Sequence, residues 1–208
     1  MNQVAKDDLQ GSAVGRYQPS SVYLDQAFYD WLTEVSSDLN LAVVRAPSVA
    51  TALREEIIQL LTVESRLLDQ HAYAPWLDLF STECAYWIPT TQPAQDPRTT
   101  ITLEFHDQRR LRDRIARLGT GLAYSQLPAS RTSRQFSGVE VWTSPGRGDE
   151  WRVRCTVILV ESRVGKSRTL AGWHGFVLRR EGGALRIVVK QVNLLDCDNP
   201  QGNNSFFL

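Results

Sequence analysis

The chain has 208 residues, enough for one domain with an appended segment. A domain of about 150 residues buries roughly 70% of the surface its unfolded chain exposes, so no disulfide or metal is needed to hold it together. Lys plus Arg and Asp plus Glu each number 23, a balance that attracts neither nucleic acid nor an anionic membrane and leaves a protein partner or a small molecule as the expected company.

Cys84, Cys155 and Cys197 are odd in number, far apart and set in or beside apolar runs. That pattern reads as reduced core thiols in a cytoplasmic protein rather than a disulfide framework. Asp7 and Asp8 fall where a signal peptide would need its apolar centre, and no run approaches the roughly 20 apolar residues of a membrane helix. Neither export nor membrane insertion is expected.

Residues 1–20 are polar and patternless, the signature of a disordered arm. From Leu24 the positions Ala27, Phe28, Trp31, Leu32 and Val35 recur at helical spacing and predict a short outlying helix, with Ser20 and Ser21 available as caps. Residues 1–50 hold three basic and six acidic side chains against 20 and 17 in the rest. With Pro47 and Ser48 this shift marks a junction, dividing the chain into an N-terminal extension, 1–50, and a main domain, 51–208.

The main domain opens with a predicted helix from about Ser48 to Leu68, on which Leu53, Ile57, Leu60, Leu61, Leu67 and Leu68 share one stripe. A second helix should carry Tyr73, Trp76, Leu77 and Phe80, with Pro75 confined to its first turn. Cys84–Thr90 reads as a strand and Gln92–Thr100, with Pro93 and Pro97, as a loop. A third helix, Asp107–Leu118, turns Leu111, Ile115 and Leu118 inward and a basic face outward, with Gly119 as a left-handed cap. The period then changes to two. Gln135–Trp142, Trp151–Arg163, Thr169–Arg180 and Leu185–Leu195 are strands separated by Pro145-Gly146-Arg147-Gly148, Gly165-Lys166 and Gly182-Gly183, an antiparallel meander. Helices first and strands afterwards define an α+β fold with helices packed on one face of a curled sheet.

Glu64-Ser65-Arg66-Leu67-Leu68-Asp69, Trp76-Leu77-Asp78-Leu79-Phe80, Tyr86-Trp87-Ile88-Pro89 and Pro128-Ala129-Ser130-Arg131-Thr132-Ser133-Arg134 together resemble the small, or β, subunit of bacterial aromatic-ring-hydroxylating dioxygenases. The likeness spans about residues 51–208. It implies a cone-shaped α+β barrel with a strongly curved, mainly antiparallel sheet, a plan shared with ketosteroid-isomerase-like proteins and scytalone dehydratase. It also implies a non-catalytic subunit with no cofactor of its own, the Rieske [2Fe-2S] cluster and mononuclear iron belonging to a catalytic α chain. The partners implied are that α chain and further copies of this one, three of each. The segment Ala171-Gly172-Trp173-His174-Gly175-Phe176 stands where many relatives carry a charged strand.

The residues agree with an absence of redox chemistry. A Rieske cluster takes two Cys and two His, and a mononuclear oxygenase iron takes two His and a carboxylate. The three cysteines here have no His within four positions, and His71, His106 and His174 sit on separate elements. Gly119-Thr120-Gly121 lacks the later glycine of a dinucleotide fingerprint. An alternative reading is a free-standing isomerase or dehydratase using His106 and Asp107, with Tyr86, Asp69 and Tyr124 nearby, or a ligand-binding module on the same fold. Against the enzyme, Asp107 is well placed to cap the Arg-rich helix.

The remaining candidates are structural. Glu64 shares the apolar stripe of its helix, and a carboxylate there needs a cation, expected from Arg109, Arg110, Arg112 or Arg114. Together with Arg117 these arginines form either a solvated face or a docking patch. Arg131 and Arg134 lead into the sheet as ion-pair or subunit contacts. Trp76 and Trp87, with Asp69, belong to the family-like segments. Phe206 and Phe207 close the sequence as exposed aromatics that would need cover, which favours assembly.

Overall fold

The computed structural model describes residues 25–41, 49–202 and 204–208. The expected arm of residues 1–20 and the caps Ser20 and Ser21 lie outside them. Among the described residues, four α-helices and six strands follow in the order α1 (Gln26–Leu39), α2 (Thr51–Asp69), α3 (Tyr73–Leu77), β1 (Phe80–Pro89), β2 (Thr102–His106), α4 (Gln108–Gly119), β3 (Arg131–Thr143), β4 (Glu150–Arg163), β5 (Lys166–Glu181) and β6 (Ala184–Leu194), with a short 3-10 turn, Tyr124–Gln126, between α4 and β3.

Local chemistry explains most boundaries. Asp25 caps α1 by accepting from the Ala27 N–H, and Asp107 caps α4 by accepting from the Arg110 N–H. Gly119 is still helical; the left-handed residue is Gly121, at φ 70°, beyond the Thr120 cap. Phe80 opens β1 instead of closing the second helix, because α3 ends after a single turn around Pro75. Strand β2 has no counterpart among the predicted elements. Its Thr-Leu-Glu-Phe-His alternation is only five residues long, wedged between a proline loop and a helix cap.

The sheet order is β2-β1-β6-β5-β4-β3. Strands β3 to β6 form the expected antiparallel meander, and β2 is antiparallel to β1. β1 instead runs parallel to β6, so the chain must cross from one edge of the sheet to the other between β2 and β3. The register of β3 against β4 shifts between Ser137 and Glu140, where Gly138 adopts φ 61°, and such bulges bend the strand. The sheet is open, with β2 and β3 as its edges.

Period-two alternation sends the two faces into different cores. Val153, Cys155, Val157 and Leu159 of β4 face the large core shared with α2, α3 and α4. On the other face, α1 seats Leu32, Val35 and Leu39 against Trp87, Trp142, Val177, Val188 and Val189. Far from lying apart, α1 is fastened at its C-terminal end. Asp38 accepts from Trp142 Nε1 (2.8 Å) and pairs with Arg152 (2.6 Å), and Arg154 donates to the Leu39 carbonyl (2.7 Å). Gly175 makes room for it, since a Cβ there would come within 2.7 Å of Leu39.

Candidate functional site

The inside of the large core is polar at its centre. Glu64 lies on the apolar stripe of α2 and is 2% exposed, so its carboxylate must be matched. The expected arginines of α4 do not reach it. Its cation is Lys190 of β6, with Nζ 2.6 Å from Oε1, and Trp76 Nε1 of α3 donates to the same oxygen at 2.8 Å. Lys190 escaped sequence reading because β6 alternates across two buried faces, so a lysine there looks solvent-facing. Burial pulls its ammonium below the ordinary lysine range, and the Glu64 charge opposes that pull.

Asp69, one turn beyond Glu64 on α2, gathers the start of β3. It accepts from Thr132 Oγ1 (2.8 Å) and the Arg134 N–H (2.9 Å) and forms an ion pair with the Arg134 guanidinium. Arg114 is the one inward arginine of α4, paired with Glu104 of β2. Arg109 and Arg110 are exposed, Arg110 using its backbone N–H on the Asp107 cap. Arg131 is exposed at the start of β3. Trp76 is fully buried in the large core, whereas Trp87 is buried on the opposite face under α1.

The aromatics expected on the surface are inside. Phe206, Phe207 and Leu208 are each 1–2% exposed. Phe207 packs its ring against Trp76, Tyr73 and Tyr86, at centroid distances of 4.7, 5.2 and 6.1 Å, with the Arg114 guanidinium 4.3 Å above it. Arg114 donates to the Phe206 carbonyl (2.8 Å), Arg134 to that of Phe207, and Lys190 to that of Leu208 (2.7 Å). The Tyr86 hydroxyl donates to the Leu208 carbonyl (3.0 Å) and accepts from the Leu208 N–H (2.9 Å). The segment covers itself with the chain's own core, so its aromatics are no argument for assembly.

The enzyme-like set does not assemble in this interior. Tyr86 is occupied by Leu208, Asp69 by Arg134, and Tyr124 is 76% exposed. Asp107 serves as the α4 cap. His106 stacks on Tyr86, and burial, reinforced by Arg114 and Arg110, pushes its pKa down to about 4, which makes it a poor base near neutrality. His174 is buried on β5, separated from β2 by β1 and β6, and burial with Lys190 and Arg134 holds it well below the usual histidine range.

These two histidines set an acid limit. As pH falls below about 6.5 the unfolded chain takes up protons that the folded chain refuses, so stability declines towards pH 4. Each contributes a slope of about 1.4 kcal/mol per pH unit in that window. Glu104, lifted by burial against the pull of Arg114, acts in the opposite sense. Single variants separate the contributions. His106→Gln is expected to flatten the decline between pH 6 and 4.5 by up to one proton in urea-denaturation midpoints. An unchanged slope would show that His106 titrates freely.

Among the described residues, no three His, Cys, Asp or Glu side chains converge as a metal-binding group. Burial pushes the Cys84 and Cys155 thiols up to about 12. No helix among the described residues is long and apolar enough to cross a membrane.

A helical layer in the hollow of a curved, mainly antiparallel sheet, its centre closed by ion pairs and an aromatic segment, defines a cone-fold α+β protein whose interior is filled by its own chain. Residues 63–198 match the family described as "Ring hydroxylating beta subunit", and the chain belongs to that family. The small oxygenase component of the p-cumate 2,3-dioxygenase system of Pseudomonas putida is 31% identical over 172 residues, spanning 79% of this chain and 94% of the relative. The crystal structure of the beta subunit of benzoate 1,2-dioxygenase from Burkholderia mallei is 26% identical with a TM-score of 0.61, covering 78% of this chain and all of that one. An NTF2-like protein of cystatin-like fold from Novosphingobium aromaticivorans shares the fold, with a TM-score of 0.51 at 20% identity over 69% of this chain and 82% of its own.

Proposed function

We propose that the chain is the non-catalytic β subunit of a multicomponent aromatic-ring-hydroxylating oxygenase in aromatic-compound catabolism. In this reading it binds a larger α chain, which carries the Rieske cluster and mononuclear iron, in an assembly of three α and three β chains. The match of residues 63–198 to the β-subunit family carries the proposal. The filled interior supports it: Tyr86, Arg114, Arg134 and Lys190 are all engaged by residues 206–208. A lasting subunit contact would bury more than about 2,000 Å² of the outer surface.

Co-expression with the large oxygenase chain tests the proposal. The tagged chain is expected to bring down an iron-containing larger partner, and alone to contain no iron and show no oxygenase activity. Stoichiometric iron in the isolated chain, or turnover without a companion, defeats the reading.

A further inference from the structure

Three buried cations share one arrangement. Arg114, Arg134 and Lys190 are each matched by a single carboxylate, Glu104, Asp69 and Glu64, and each turns another N–H towards a main-chain carbonyl of residues 206–208. The donors left over on each cation meet main-chain oxygens of the segment. Beside these donors stands a box of three aromatic rings, Tyr73, Trp76 and Tyr86, closed by the Arg114 guanidinium and filled by one benzene-sized ring. Carbonyls on three successive residues and an aromatic side chain are the chemistry of a peptide.

We propose that the inside of the cone is a binding pocket for a short aromatic peptide, and that residues 204–208 are its ligand, supplied by the chain itself. The segment reaches the pocket past a surface hollow of about 490 Å³ in which Asn204 and Ser205 lie beside Leu103, Glu104 and His106. Recognition combines an anchor ring in a desolvated box with main-chain hydrogen bonds to charged donors, the two contributions that make a peptide site specific. The same pocket accepts the same segment from solution when its own copy is missing.

The test uses the chain lacking residues 204–208, refolded from urea with and without the peptide acetyl-Asn-Ser-Phe-Phe-Leu. The expected result is that the native near-UV circular dichroism returns only with peptide. The melting midpoint of the peptide-bound chain should then climb with peptide concentration, by about 3–5 °C for each tenfold increase above Kd. A peptide with alanine for its second phenylalanine should not substitute, and neither should benzoate. A deleted chain that is native without peptide, failure of the peptide to restore it, or equal restoration by the alanine peptide overturns the proposal. Phe207→Ala in the full chain gives a second reading that does not depend on the deletion folding. Its emptied box should take up toluene, raising the midpoint of the variant and not that of the unaltered chain. No rise in the variant counts against the pocket.

Discussion

Lys190→Ala is expected to cost about 3–5 kcal/mol of folding stability, read as a lowered urea midpoint at unchanged slope. The lysine is completely buried, and its ammonium joins Glu64 of α2 to the Leu208 carbonyl. Removing it leaves the Glu64 carboxylate in a low-dielectric core with Trp76 Nε1 as its remaining hydrogen-bond donor, and the Leu208 carbonyl with the Tyr86 hydroxyl. Most of the cost is therefore the stranded charge and not the lost attraction. A double variant, Glu64→Gln with Lys190→Met, removes both charges and keeps an amide within reach of Trp76. It should recover a large part of the loss, with a coupling energy of about 2 kcal/mol between the two sites. Additive single and double costs would mean that the pair is not a unit.

Gly172→Ala is expected to destabilise by about 3 kcal/mol or more, because the added methyl has nowhere to go. A Cβ on Gly172 would lie 2.0 Å from the Asn193 carbonyl oxygen and 3.0 Å from the Leu194 Cα, both backbone atoms of the neighbouring strand β6. Backbone cannot rotate aside as a side chain can, so β5 and β6 must part there, close to where Leu195 N–H donates to the Ala171 carbonyl (2.9 Å). Gly175→Ala serves as the comparison. Its nearest obstacles are side-chain atoms of Leu39 and Trp173, which can yield, so its effect should be smaller and fall on the docking of α1. Loss of protection from hydrogen exchange at the end of β6 for Gly172→Ala, and in α1 for Gly175→Ala, checks both. Equal costs at the two glycines would contradict this account. The Ala171–Phe176 segment thus carries one close strand approach, at Gly172, and one helix seat, at Gly175.

Local patterns were legible because they repeat within a few residues of themselves. The 3.6-residue stripe of α2, the Asp107 cap and the period-two run from Trp151 to Leu159 each declare an element without reference to the rest of the chain. Together they place helices before strands and hence the α+β class. Glu64 announced its own anomaly in the same way, since a charge on an apolar stripe violates the pattern around it. Short β2 was missed because five residues give alternation too little length to be told from a loop.

Partners across long separations were decided only when the chain folded. Nothing within a window of sequence says that the cation for Glu64 stands 126 positions away on β6, that β1 lies parallel to that same strand, or that Phe207 enters the box made by Tyr73, Trp76 and Tyr86. A buried charge accepts whichever counter-charge topology delivers, and an apolar segment turns inward wherever the curved sheet leaves room. By itself the sequence determined the family likeness and, short β2 apart, the kinds of element and their order. The tertiary structure chose the contents of the cone, because burial and charge matching are properties of the closed volume and not of any stretch of chain.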